Sequence, residues 1–228
     1  MARILLIHGS CHGAWCWRDV LPHLAGHDVR AIDLPGHGAD PTPASAVTLD
    51  LYAEAILEQC DGPTFVAGHS MAGYPISAAA ERAPEKIARL TYVCAYLPRS
   101  GLSLADMRRA GPRQPLREAI EVSADGVTFS FRPDMLHDKL YHDCPEGTVD
   151  FAKPRLTPQP IRPQATPITL TDRFAAVPKR YIRCTEDRAI PPEYQADMAK
   201  GAAERFELPC AHSPFFAMPE RLAALLTP

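Results

Sequence analysis

The segment that most constrains the fold is Thr64-Phe65-Val66-Ala67-Gly68-His69-Ser70-Met71-Ala72. An apolar run of strand length ends in a glycine. Ser70 follows between small residues, and an amphipathic stretch then runs from Gly73 to Arg82. This is a G-x-S-x-G elbow in strand–turn–helix context, with Ala72 at the last position. The turn must push the serine side chain outward while the backbone packs tightly around it, and small neighbours allow that.

The rest of the chain repeats the alternation of strand and helix. Arg3–Ile7 reads as a buried parallel strand, nearly all apolar. His8-Gly9-Ser10-Cys11-His12-Gly13 is a tight loop, and Trp15 to Leu24 reads as a helix. Further strands are expected at 28–33, 87–95, 178–184 and 204–208, and helices at 48–58, 192–200 and 219–226, with Thr48 a capping residue. This pattern is that of an α/β domain with a mostly parallel, doubly wound sheet and right-handed crossovers. It weakens between 98 and 176, where proline and charge accumulate. Short helices at 103–109 and 133–140 and a strand at 127–131 are the readable elements there. A loop of that length without structure is improbable, so 98–176 is read as an inserted cap on a core formed by 1–97 and 177–228.

Composition removes several classes of function. With 228 residues and 46% hydrophobic content the chain can bury a substantial core. A formal charge of -3 with scattered basic residues points to no nucleic acid and no anionic membrane surface. Neither a signal peptide nor a transmembrane run is read, so a cytoplasmic protein is expected. The seven cysteines form no metal signature or disulfide framework. Free, mostly buried thiols are expected, with Cys94, Cys184 and Cys210 acting as small apolar residues. No cofactor and no metal are anticipated.

A serine hydroxyl attacks poorly unless a neighbouring base removes its proton. Asp187 follows the strand ending near Cys184, and His212 follows the last strand. Both therefore fall at the carboxyl ends of strands, where reactive groups collect in open α/β sheets. The chain order Ser70, Asp187, His212 suits a base and its orienting carboxylate, with adjacent Glu186 the rival for the acid. The backbone N–H groups of Met71 and Ser10 are the candidate oxyanion donors, and Gly9 lets the Ser10 loop approach. His8 is expected to orient that loop, His12 to line the pocket, His37 to be structural and His69 to brace the elbow. Trp15 and Trp17 are read as packing the first helix on the sheet. Phe129, Phe131, Met135, Leu136, Leu140 and Tyr141 are read as a cover for an apolar acyl group, with Phe215 and Phe216 near His212.

The joint pattern resembles the α/β-hydrolase superfamily. More narrowly, it is similar to the methylesterase and hydroxynitrile lyase family known chiefly from plants, with its bacterial esterase relatives. The resemblance rests on the run from His8 to Trp17, the elbow, Tyr181–Asp187 and His212. It implies a catalytic triad of Ser70, Asp187 and His212, oxyanion donation by Ser10 and Met71, and a family that is often homodimeric. The lyases carry threonine at the position of Gly9 and lysine at that of Ser213, so the resemblance implies hydrolysis of a carboxylic ester. A small apolar or aromatic ester, including a methyl ester, is the expected substrate. A lyase, another α/β-hydrolase reaction, or a non-catalytic small-molecule binder stand as alternatives. The chain is short for that family, which implies an abbreviated cap.

Overall fold

A computed structural model describes all 228 residues. Its centre is a six-stranded parallel sheet in the order β2-β1-β3-β4-β8-β9. These strands are β1 (Arg3–Ile7), β2 (Asp28–Ile32), β3 (Thr64–His69), β4 (Ile87–Val93), β8 (Lys179–Cys184) and β9 (Glu204–Leu208). Side chains alternate between the sheet's two faces, so the central strands β1, β3, β4 and β8 supply a core on each side, while edge strand β9 buries only Leu208. Leu5, Ile7, Val66, Leu90, Tyr92 and Tyr181 pack on one face, against helices α1 (Leu49–Glu58) and α2 (Gly73–Arg82) among others. Ile4, Leu6, Ala67, Val93 and Ile182 pack on the other, with Trp17, Leu24, Phe215 and Leu222.

Local chemistry sets the helix starts. The Thr48 hydroxyl accepts the Leu51 N–H at the head of α1. Ser103 and Asp106 form a reciprocal capping box on α3 (Leu104–Ala110). The expected helix from Trp15 to Leu24 is instead two separate 3-10 turns, Ala14–Trp17 and Leu21–Leu24. Pro22 lacks the N–H that would bond back to Arg18, which disfavours a continuous α-helix across the gap. Trp17 still packs on the sheet, fully buried, whereas Trp15 is half-buried and stacks on His12. The strand expected at 87–95 stops at Val93, because Cys94 turns to φ 35°.

Between β4 and β8 the chain leaves the sheet. It forms α3, a small antiparallel sheet of β5 (Ile120–Val122), β6 (Thr128–Phe131) and β7 (Gln159–Pro160), and three short helices. The helices are α4 (Thr148–Ala152), α5 (Arg162–Ala165) and α6 (Asp172–Ala176). Residues 133–140, expected to be one helix, form a 3-10 turn followed by a π turn at His137–Tyr141. Back in the sheet region, α7 (Pro192–Met198), α8 (Pro214–Ala217) and α9 (Pro219–Leu226) complete the chain. No helix is long and apolar enough to cross a membrane.

The order of strands locates the crevice. β1 sends the chain outward to β2 on one side, and β3 returns on the other, so β1 and β3 flank a topological switch point. The Gly9 loop follows β1, and Ser70 follows β3.

Candidate active site

Ser70 sits between β3 and α2 with φ 56°. A non-glycine residue held in this region stores about 1–3 kcal/mol of strain that the surroundings must enforce. They do so by close packing. A Cβ on Gly68 would lie 2.9 Å from Ile76 Cδ1, and one on Gly73 only 1.9 Å from the Tyr96 carbonyl oxygen. The Tyr96 N–H in turn donates to the Ser70 carbonyl at 3.1 Å. Ala72, by contrast, has ordinary helical angles and a fully buried methyl group. After the serine, the position that admits no side chain is Gly73.

His212 stands after β9, and its Nε2 lies 3.0 Å from Ser70 Oγ. Its Nδ1 is 2.7 Å from Asp187 Oδ2. The acidic residue is Asp187; neighbouring Glu186 is exposed and makes no hydrogen bond to His212. Asp187 Oδ1 accepts the Ala189 and Ile190 N–H groups at 2.6 and 2.9 Å, which fixes its carboxylate. Gln195 completes that setting. Its Nε2 donates to Asp187 Oδ2 at 2.7 Å and to the Ile190 carbonyl at 2.9 Å, while its Oε1 accepts the Cys184 N–H at 3.0 Å. Sequence reasoning passed over Gln195, a glutamine on α7 with no motif around it.

The loop after β1 is held by its histidines. His8 Nδ1 donates to the Gly9 carbonyl at 2.9 Å, and its Nε2 accepts the Leu34 N–H at 3.0 Å. Burial drives its pKa down to about 4. His12 Nδ1 donates to the Ser10 carbonyl at 2.8 Å and its Nε2 accepts the Tyr141 hydroxyl at 2.7 Å. Burial lowers His12 to about 3. His69 Nε2 donates to the His212 carbonyl at 2.7 Å, and burial holds this ring well below its usual range. His37 bridges Tyr52 and Thr157. All four rings act as neutral, fixed struts in these contacts.

Gly9 touches the elbow directly. A Cβ there would lie 2.6 Å from His69 Nδ1 and 2.9 Å from Ser70 Cβ. The Ser10 amide beside it has no backbone acceptor. Ser10 and Met71 line the same cavity as Ser70 and His212. Gln164, on α5, donates to Ser10 Oγ at 2.8 Å and so ties the 98–176 segment to this loop; it too was missed. Of the aromatic and aliphatic residues read as a cover, Phe129, Phe131 and Leu140 line the cavity. Leu136 and Tyr141 are core residues packed on the sheet, and Met135 stands outside the lining. Phe215 packs against His69, Trp17 and Phe216, beneath the cavity.

Three side chains from three strand ends, linked in series above an open parallel sheet, place the chain among α/β proteins built around serine, histidine and aspartate. The chain belongs to the α/β-hydrolase family, whose profile matches residues 4–225, and to its methylesterase-like branch. It is 31% identical to methylesterase 7 of Arabidopsis thaliana over 98% of this chain and 94% of that one. It is 32% identical to a pyrethroid hydrolase of Sphingobium wenxiniae, over 96% of this chain and 84% of that one. The solved pyrethroid hydrolase of Sphingobium faniae JZ-2 superposes with a TM-score of 0.87 at 27% identity, covering 99% of this chain and 95% of that one.

Proposed function

We propose that this protein is a serine carboxylesterase that cleaves small apolar or aromatic esters, methyl esters among them, through an acyl-enzyme. The observation that carries the reading is the unbroken series Ser70 Oγ–His212 Nε2, 3.0 Å, and His212 Nδ1–Asp187 Oδ2, 2.7 Å. With its Nδ1–H donated to the Asp187 carboxylate, His212 presents a bare Nε2 to the serine hydroxyl. His212 takes that proton as Ser70 attacks the ester carbonyl, and Asp187 stabilises the resulting imidazolium. The Ser10 and Met71 N–H groups receive the oxyanion. His212 then protonates the leaving alcohol. Water attacks the acyl group by the same relay and releases the acid.

Gly9 and Ser213 favour hydrolysis over cyanohydrin cleavage. A threonine at Gly9 meets His69 and Ser70 within 3 Å at its Cβ, and Ser213 offers no cation. Residues 98–176 act in this reading as a cap over the core formed by 1–97 and 177–228. A cytoplasmic setting, supported by seven free thiols, and a homodimer, taken from the family resemblance, belong to the same proposal.

A panel of aryl, alkyl and methyl esters, with a cyanohydrin in parallel, tests it. Ester turnover by the parent and a loss of about a thousand-fold or more in Ser70→Ala are expected. Binding without turnover favours a receptor, and cyanide release without ester cleavage favours a lyase.

A further inference from the structure

The cavity beside Ser70 is apolar on most sides, yet one strong charge enters it. Leu104, Leu116, Phe129, Phe131 and Leu140 form its walls, and Arg108 is its one Lys, Arg, Asp or Glu residue. Leu104 and Arg108 lie four residues apart on α3 and so share a face. That face is set by the Ser103–Asp106 capping box and by the Tyr194 hydroxyl bonded to the Met107 carbonyl. Nearby arginines have carboxylate partners: Arg99 with Asp197, Arg109 with Asp106, Arg113 with Glu193. Arg108 has none and is half-buried. An unpaired guanidinium lining an apolar cavity is free to receive an anionic group.

Tyr96 shares the cavity, and its backbone is bonded to Ser70. Burial raises its phenol's pKa, and the Arg108 charge opposes that rise. The lining thus combines a nucleophile, apolar walls, and one cation, Arg108.

We infer that the acid part of the substrate carries a second carboxylate that Arg108 holds, making the substrate class half-esters of dicarboxylic acids. This rests on the esterase reading of the same site. The planar fork of arginine pairs with one carboxylate through two parallel hydrogen bonds. A single guanidinium among apolar walls suits a monoanion at the end of an apolar spacer. A phosphate dianion calls for more cationic donors than this lining has.

The test compares monomethyl esters of linear and aromatic dicarboxylic acids with their dimethyl esters, in the parent, Arg108→Leu, Arg108→Lys and Arg109→Leu. Thermal stabilisation by the free dicarboxylate and by a matched monocarboxylate is measured alongside. The parent is expected to favour the half-ester by about ten-fold or more in kcat/KM. Arg108→Leu abolishes that preference, Arg108→Lys keeps part of it, and Arg109→Leu, which removes an equal charge from the exposed face, keeps it whole. Ser70-dependent cleavage of neutral esters with no half-ester preference, and no effect of Arg108→Leu on the ratio, overturns the inference and leaves the esterase standing. Absence of all ester cleavage, with Arg108-dependent stabilisation by the dicarboxylate, overturns the esterase and keeps the ligand class. Absence of both overturns both.

Discussion

Ser70 is held at φ 56° by neighbours that have no room to yield, and its hydroxyl therefore meets His212 Nε2 without rearrangement. The same crowding makes Gly9 a sharp test. Gly9→Thr is expected to lower ester turnover by at least about ten-fold while conferring no cyanohydrin cleavage, because the added Cβ displaces His69 and Ser70. Cyanide release by that variant would show that the loop yields to the added Cβ. Gln195 is a positioning residue, acting through Asp187. Gln195→Leu is expected to reduce kcat about ten-fold with KM near the parental value and to shift the acidic limb of the pH–rate profile. An unchanged profile would leave Gln195 a packing residue only. Ser70, Asp187 and His212 were legible because reactive groups at strand ends come with local signatures, a glycine turn or a Pro-Cys-Ala-His loop. Gln164, Gln195 and Arg108 come from helices in which nothing local distinguishes a site-facing polar residue from a solvated one; only the tertiary arrangement aims them.

At the level of elements, the loop after β1 couples the site to the fold's stability. His8 and His12 are neutral and fully bonded, so a proton added to either bare ring nitrogen faces a donor, the Leu34 N–H or the Tyr141 hydroxyl. In the unfolded chain both titrate near 6.5, and in the fold at about 4 and about 3. Below pH 6.5 the unfolded state thus binds the extra protons, and stability falls as pH drops toward those folded values. The His8 shift alone corresponds to about 3 kcal/mol. Thermal scans should show the melting temperature falling between pH 6.5 and 4.5, above the range where the lowered Glu81 and Asp40 carboxyls titrate. A flat profile there would contradict buried neutral imidazoles. The α2 start gives a second test: Gly73→Ala should cost at least about 1–3 kcal/mol, since a methyl group meets the rigid Tyr96 backbone. The central strands β1 and β3 are legible because a parallel strand buried on both faces is a continuous apolar run; the edge strands β2 and β9 are only partly covered. Residues 15–24 and 133–140 read as helices yet fold otherwise, because apolar spacing does not separate an α-helix from successive 3-10 or π turns; proline placement and packing decide that. β5, β7 and the short helices α4 to α6 are too brief to display a period at all.

For the whole molecule, the switch point between β1 and β3 is what brings the Ser10 loop to Ser70, while β8 and β9 carry Asp187 and His212 in from the other side. The alternation of strands and helices disclosed that architecture, whereas the fold of 98–176 depended on contacts such as Gln164 to Ser10 that span the chain. Packing of this kind leaves six thiols buried and only Cys144 half-buried. A thiol reagent should label at most one cysteine rapidly in the native protein and all seven after denaturation, and reductant should leave the melting temperature unchanged. Fast labelling of several would mean the core is open. The central claim is that Ser70, activated by His212, is the nucleophile, and intact-mass analysis after treatment with a fluorophosphonate ester tests it most directly. One adduct per chain, mapped to Ser70 and absent from Ser70→Ala, is the predicted result; no adduct on the parent, or an adduct that persists in Ser70→Ala, would contradict it.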